Sequence, residues 1–134
     1  MTDQAVKPWW HELNTWQPDD ARAFYGRTLG WKFDDVDLPD GSPYWIARRN
    51  GEPVGGIFAL CEPVYAGIPS HWMTYMTVAD IGHAERTAVF AGGEVMRPAI
   101  HIPGVGKLAV VSDSVGALIG LIEPDPQHAL AAAQ

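Results

Sequence analysis

Two side chains in this sequence have the chemistry of an acid–base pair, Glu12 and His71. Glu12 stands in Trp10-His11-Glu12-Leu13-Asn14-Thr15, among large apolar neighbours. A carboxylate desolvated by such neighbours is driven toward its neutral form and can serve as a general base. His71 opens His71-Trp72-Met73-Thr74-Tyr75-Met76-Thr77 and can give or take a proton beside it. Both runs are short and aromatic and read as strands. Successive strand side chains point to opposite faces, so Trp10, Glu12, Asn14 and Trp16 share one face of the first strand. By the same alternation His71, Met73, Tyr75 and Thr77 share one face of the second.

Other chemical motifs fail on spacing. His11-Glu12-Leu13-Asn14-Thr15 begins like a zinc-protease helix, but its fifth residue is Thr and the segment is a strand. Gly104-Val105-Gly106 lacks a third glycine and a following helix, so it is a turn and not a dinucleotide loop. Cys61 is the one cysteine, which excludes an intrachain disulfide and a cysteine zinc site. Its place at a strand end before Pro63 reads as a buried, inert thiol. His101 is placed on a loop, and His11, His83 and His128 at the surface.

The elements that position these residues follow from turn signals and periodicity. Trp9–Trp16 is a strand. Pro18-Asp19-Asp20 opens a helix that Gly30 ends, with Ala21, Phe24, Tyr25 and Leu29 as its apolar stripe. Trp31–Val36, Pro43–Arg49 and Val54–Leu60 are strands, the last two joined by the hairpin signal Asn50-Gly51. After a linker at 61–70 the order recurs. His71–Val78 is a strand, Asp80 starts a helix through Phe90 with Val89 and Phe90 on its apolar side, and Gly92-Gly93 closes it. Glu94–Ile102, Gly106–Val111 and Ala117–Glu123 are strands, and 125–134 is a tail. The spacing predicts one α+β domain over 1–134, built as a βαβββ unit used twice, over about 9–60 and about 71–124. The offset carries Thr15 onto Thr77, Gly30 onto Gly92 and Gly56 onto Gly120.

Composition agrees. A chain of 134 residues is one domain's worth. Apolar residues make up 47% and charged residues 19%, which suits a packed globule. The net charge of −7 gives no footprint for a phosphate backbone, so nucleic acid is not expected as a partner. The N-terminal residues show no signal-peptide pattern and no run has membrane length, so a cytoplasmic protein is expected.

The sequence resembles the vicinal oxygen chelate superfamily of glyoxalases, bleomycin-resistance proteins and extradiol dioxygenases, in particular its bacterial glyoxalase-like branch. The resemblance spans residues 9–124. It is carried by Trp10-His11-Glu12-Leu13 with Pro18-Asp19, by Phe24-Tyr25-Gly26 with Leu29-Gly30-Trp31, and by Gly55-Gly56. Further along it rests on Ser70-His71-Trp72, Ile102 through Gly106, and Asp113 through Pro124. It implies two βαβββ modules whose sheets curl around a cavity. Superfamily enzymes hold a metal on His, Gln or Glu from the first and last strand of each module. The aligned positions here are Trp10, Gly56, Met73 and Gly120, and none offers a hard or imidazole donor. The resemblance therefore implies a metal-free, cofactor-free protein that holds a small apolar or aromatic molecule. The expected lining is Trp10, Glu12, Asn14, Phe58, Met73, Tyr75 and Leu118. The alternative is a metal-dependent lyase, isomerase or dioxygenase that uses Glu12 and His71 with a non-standard ligand set. A homodimer is expected, because superfamily members commonly pair modules and the Trp-rich first strand and helix faces supply apolar area.

Overall fold

The period-2 runs and the two helix signals resolve into ten elements in a computed structural model, which describes residues 10–126. They are β1 (Trp10–Thr15), α1 (Pro18–Leu29), β2 (Lys32–Asp37), β3 (Pro43–Arg49), β4 (Glu52–Ala59), β5 (His71–Thr77), α2 (Ile81–Phe90), β6 (Glu94–Ile102), β7 (Gly106–Ser112) and β8 (Leu118–Pro124). The order is βαβββ twice, as expected, and the class is α+β. The chain divides into two compact units, residues 10–73 and, among the described residues, 74–126. They are described separately as the first and second module. All of the expected tail but Asp125 and Pro126 lies outside the described residues.

In the first module β1 runs parallel to β4, β3 antiparallel to β4 and β2 antiparallel to β3, giving the order β2-β3-β4-β1. Helix α1 starts where Pro18 occupies its first turn beside Asp19 and Asp20, and it stops at Gly30. Gly30 takes φ 72°, and its N–H donates to the Tyr25 carbonyl. Only glycine adopts that conformation without a Cβ penalty. Asn50 (φ 53°) and Gly51 (φ 81°) make the two-residue hairpin turn that their sequence announces. The core of this module is Leu13, Trp45 and Ile57, against which Ala21, Tyr25, Phe33 and Ala59 pack. Leu13 thus faces α1, and the alternate residues of β1 face away from it. Phe24 and Leu29 were expected on the buried stripe but are exposed. Phe24 lies about 100° around the helix from Tyr25, and the sheet accepts only the Ala21/Tyr25 edge. Because β4 ends at Ala59, Cys61 falls in the loop beyond it and is exposed, not buried as expected.

In the second module β5 runs parallel to β8, β7 antiparallel to β8 and β6 antiparallel to β7, giving the order β5-β8-β7-β6. Helix α2 is capped by Asp80, whose carboxylate accepts from the His83 N–H at 2.9 Å. Val89 and Phe90 were expected to face the sheet and instead point to solvent, Phe90 at 96% exposure. Two residues turn a helix by about 200°, so with Ala88 toward the sheet Phe90 must face out.

Three aspartates lock turns. Asp40 is held below the ordinary carboxylate value of 3.8 first by the Ser42 hydroxyl. Asp80 is held below it first by the His83 N–H, and Asp113 by the Val115 and Ala117 N–H groups. A carboxylate whose folded-state pKa is depressed stabilises the fold above its unfolded value, and that contribution is lost as pH falls through the lower folded value. The urea midpoint is therefore expected to fall as pH drops from about 5 to below 3.8. Asp113→Asn should flatten that slope. A midpoint unchanged by acid would remove these turns as the cause.

Candidate functional site

The face of the first module turned away from α1 gathers four of the expected residues. Trp10, Glu12 and Asn14 alternate along β1, with Glu12 paired to Gly56 and Asn14 to Phe58 across the parallel ladder. Trp10 and Glu12 are fully buried, and Asn14 is buried. The Trp10 indole N–H donates to the Tyr44 hydroxyl at 3.2 Å. Phe58 meets the edge of Tyr65 from the following loop at 5.6 Å. Met73 is buried on β5, and His71, at the start of that strand, is bonded through Nδ1 to the Pro69 carbonyl at 2.8 Å. That bond places the donor hydrogen on Nδ1 and leaves Nε2 as the ring's acceptor.

In the second module, Tyr75 and Leu118 occupy strands β5 and β8. Tyr75 is buried, and its hydroxyl accepts from the Arg97 guanidinium at 2.5 Å. Leu118 is half exposed and lines a cavity of about 340 Å3 with Met96 and Glu94. Gly120 and Ile122 follow it on the same face by alternation. His101 is on strand β6 and not on a loop; its Nε2 lies 3.0 Å from Asp125. His11 and His83 are exposed as expected, and His128 lies outside the described residues.

The two glycines that the resemblance aligns with metal-ligand positions, Gly56 and Gly120, are covered. A Cβ on Gly56 would overlap the Tyr44 hydroxyl and stand 2.7 Å from Cε1 of that ring. A Cβ on Gly120 would stand 2.5 Å from Cγ and 2.7 Å from Cε2 of Tyr75. Each module thus lays a tyrosine over the backbone where a longer residue would project. Trp10, the third aligned position, offers only an N–H that already donates to Tyr44, and Met73 offers a soft thioether. These residues do not fit a hard divalent metal. Among the described residues no three His, Cys, Asp or Glu side chains stand together as a metal-binding group.

Tyr44 and Arg97 were not picked out from the sequence. Tyr44 alternates with Ile46 on β3 opposite Phe58 and Gly56, so the hairpin register after Asn50-Gly51 could have found it. Arg97 could not be found that way. The β6–β7 register shifts between Val95 and Arg97 and again before Ile100, and a bulge breaks the period-2 count.

No family model matches the sequence. The chain is 36% identical over 119 residues to the glyoxylase-assigned protein CFP32 of Mycobacterium bovis, covering 89% of this chain and 44% of that protein. It is 27% identical to the anthracycline biosynthesis protein DnrV of Streptomyces peucetius, covering 82% of this chain and 44% of that one. The chain thus spans less than half the length of the curated relatives it matches. Among solved structures, methylmalonyl-CoA epimerase from Mycobacterium tuberculosis aligns over 99% of this chain and 97% of its own, at 20% identity and TM-score 0.64. A variant of the Streptomyces coelicolor epimerase in complex with 2-nitronate-propionyl-CoA aligns over 90% and 96%, at 12% identity and TM-score 0.65. These likenesses establish the fold.

Proposed function

Because the chain belongs to the glyoxalase-like vicinal oxygen chelate superfamily, we propose that it binds a small apolar or aromatic molecule, without a metal, on the helix-free face of its strands. The observation that carries this reading is the pair of tyrosines laid over Gly56 and Gly120. They occupy the space from which relatives with metal chemistry would extend their ligands, and they replace hard donors with aromatic surface. On this face of the first module Phe58 and Met73 supply apolar contact, and the fully buried Trp10 backs them. Asn14 supplies a polar group to orient a ligand, as small-molecule sites do, and the fully buried Glu12 backs the same face. The solved epimerase in complex with a coenzyme A ester supports a small organic ligand for this fold. The metal-dependent alternative through Glu12 and His71 is not adopted, since among the described residues no three His, Cys, Asp or Glu side chains stand together as a metal-binding group.

The reading includes a cytoplasmic homodimer. Trp10 does not supply the apolar area expected of it, because its indole is fully buried. Phe24, Trp72, Phe90 and Val115 do, each more than two-fifths exposed. Among the described residues no helix is long and apolar enough to cross a membrane. One exposed thiol without a disulfide suits a reducing compartment.

Native mass spectrometry of the full chain tests metal and subunit number together. The expected species is a dimer of the 14.6 kDa chain with no metal adduct. One zinc, nickel, iron or manganese per chain after dialysis would overturn the metal-free reading, and a monomer would overturn the dimer. For the ligand, aromatic compounds that quench tryptophan emission should bind several-fold more weakly to Asn14→Ala and Phe58→Leu. Hits indifferent to both variants would remove this face as the site.

A further inference from the structure

The two modules differ in how the seam between helix and sheet is filled. The ladders Glu12–Gly56 and Tyr75–Gly120 set the modules in register. The pairs that follow, Trp45–Ile57 and Ala109–Leu121, make Ala109 the counterpart of Trp45. The helix offset likewise sets Ala84 against Ala21 and Ala88 against Tyr25. In the first module Trp45 and Tyr25 fill the seam together with Leu13 and Ile57. In the second, the Ala88 methyl replaces the phenol, while Ala109 is fully buried and does not wall the open space. What remains is a cavity of about 670 Å3 between α2 and strands β7 and β8, walled by Ala84, Ala88, Val111, Ile119 and Leu121. Helix α2 buries only Ile81, and Ile119 stays 37% exposed within the seam. The volume lies within the about 300–1,000 Å3 of small-molecule pockets.

The ends of the groove are polar: His83 lines the Asp80 end, where the Arg86 guanidinium also acts on the carboxylate, and the Asp113 end has no cation among its lining residues. Asp80 and His83 stand at the start of α2, and Ser112 and Asp113 at the other end. Backbone N–H groups hold both aspartates below the ordinary carboxylate range, so both are ionised at neutral pH. The chain carries a net charge of −7, which adds to the local field against an anion. We propose that the seam under α2 is a second small-molecule site, distinct from the helix-free face, for a neutral or cationic ligand with an apolar aromatic body. The Ala88 counterpart of Tyr25 and the cavity volume set the size, the aliphatic walls set the apolar character, and the Asp113 carboxylate sets the charge.

The test uses the full chain and two fluorescent probes that share their rings. N-phenyl-1-naphthylamine is neutral, and 1-anilinonaphthalene-8-sulfonate is its sulfonated analogue. The neutral probe is expected to bind at least ten-fold more tightly than the sulfonate. Ala88→Tyr restores the first module's filling and should weaken the neutral probe at least ten-fold. Asp113→Asn should narrow the preference against the sulfonate. In the wild-type protein, amide shifts on adding the neutral probe should centre on Ala84, Ala88, Ile119 and Leu121, which keeps the test open if the filled variant folds poorly. The proposal is overturned if neither probe binds, if the sulfonate binds as well as the neutral probe, or if the shifts fall on Trp10, Asn14 and Phe58 instead. It is also overturned if raising the protein concentration displaces the probe, since a second copy then fills the seam.

Discussion

Trp10→Ala is expected to lower the unfolding free energy by about 3–5 kcal/mol, the range for deleting a large buried aromatic side chain. The indole is fully buried on the face away from α1, so no surface relaxation offsets its loss. The substitution also takes the N–H donor from the Tyr44 hydroxyl, which is itself buried. Trp10→Phe keeps most of the ring and loses the donor. It should cost about 1 kcal/mol for the hydrogen bond, plus the smaller volume. Urea unfolding of both variants, with the slope unchanged, separates the two effects. A loss under about 1 kcal/mol for Trp10→Ala would mean that this ring is not part of the core.

Gly120→Ala is expected to cost about 3 kcal/mol, at the upper end for overpacking, because the new Cβ meets the base of a ring and not its free end. The atoms that it would strike include Cγ of Tyr75, which cannot swing aside without moving the strand. The Tyr75 hydroxyl is tied to Arg97, which further restricts the ring. Tyr75→Ala alone should destabilise through a cavity. The double variant should lose less than the sum of the two single losses, with a coupling of about 1–3 kcal/mol. Strict additivity would mean that the tyrosine does not hold the space above Gly120. This coupling bears on function. A histidine or glutamate at 120 would have to displace Tyr75 before it could reach a metal, so single substitutions toward the superfamily's enzymes should fail to create a metal site.

Much of the fold was legible because its signals are local. Pro18, Gly30, Asn50-Gly51, Asp80 and Gly92 each demand a particular backbone conformation from their own residue type, and the elements begin and end within one or two residues of them. The repeat was legible because Gly56 and Gly120 sit at equivalent ladder positions beside Glu12 and Tyr75. Period-2 alternation also put Trp10, Glu12 and Asn14 on one face and Leu13 on the other, since register along a short strand leaves no third choice.

Burial depth, by contrast, was decided only in three dimensions. The helix stripes were drawn too wide, and Phe24, Val89 and Phe90 proved exposed, because an apolar residue on a helix has no local cue for which edge the sheet will accept. Cys61 lies two residues beyond Ala59, where β4 ends, and is exposed. The partners of the two central glycines were equally invisible. Tyr44 lies 12 residues from Gly56 (56 minus 44) and Tyr75 lies 45 from Gly120 (120 minus 75), and only strand pairing lays each ring on its glycine. Arg97 was hidden by the bulges in β6, where the count that identifies faces from sequence no longer holds. Composition, turn chemistry and periodicity, which act over a few residues, determined the modules by themselves. The filling of each module's seam and the covering of its ligand positions depend on which distant side chains meet, and that was settled only by the packed fold.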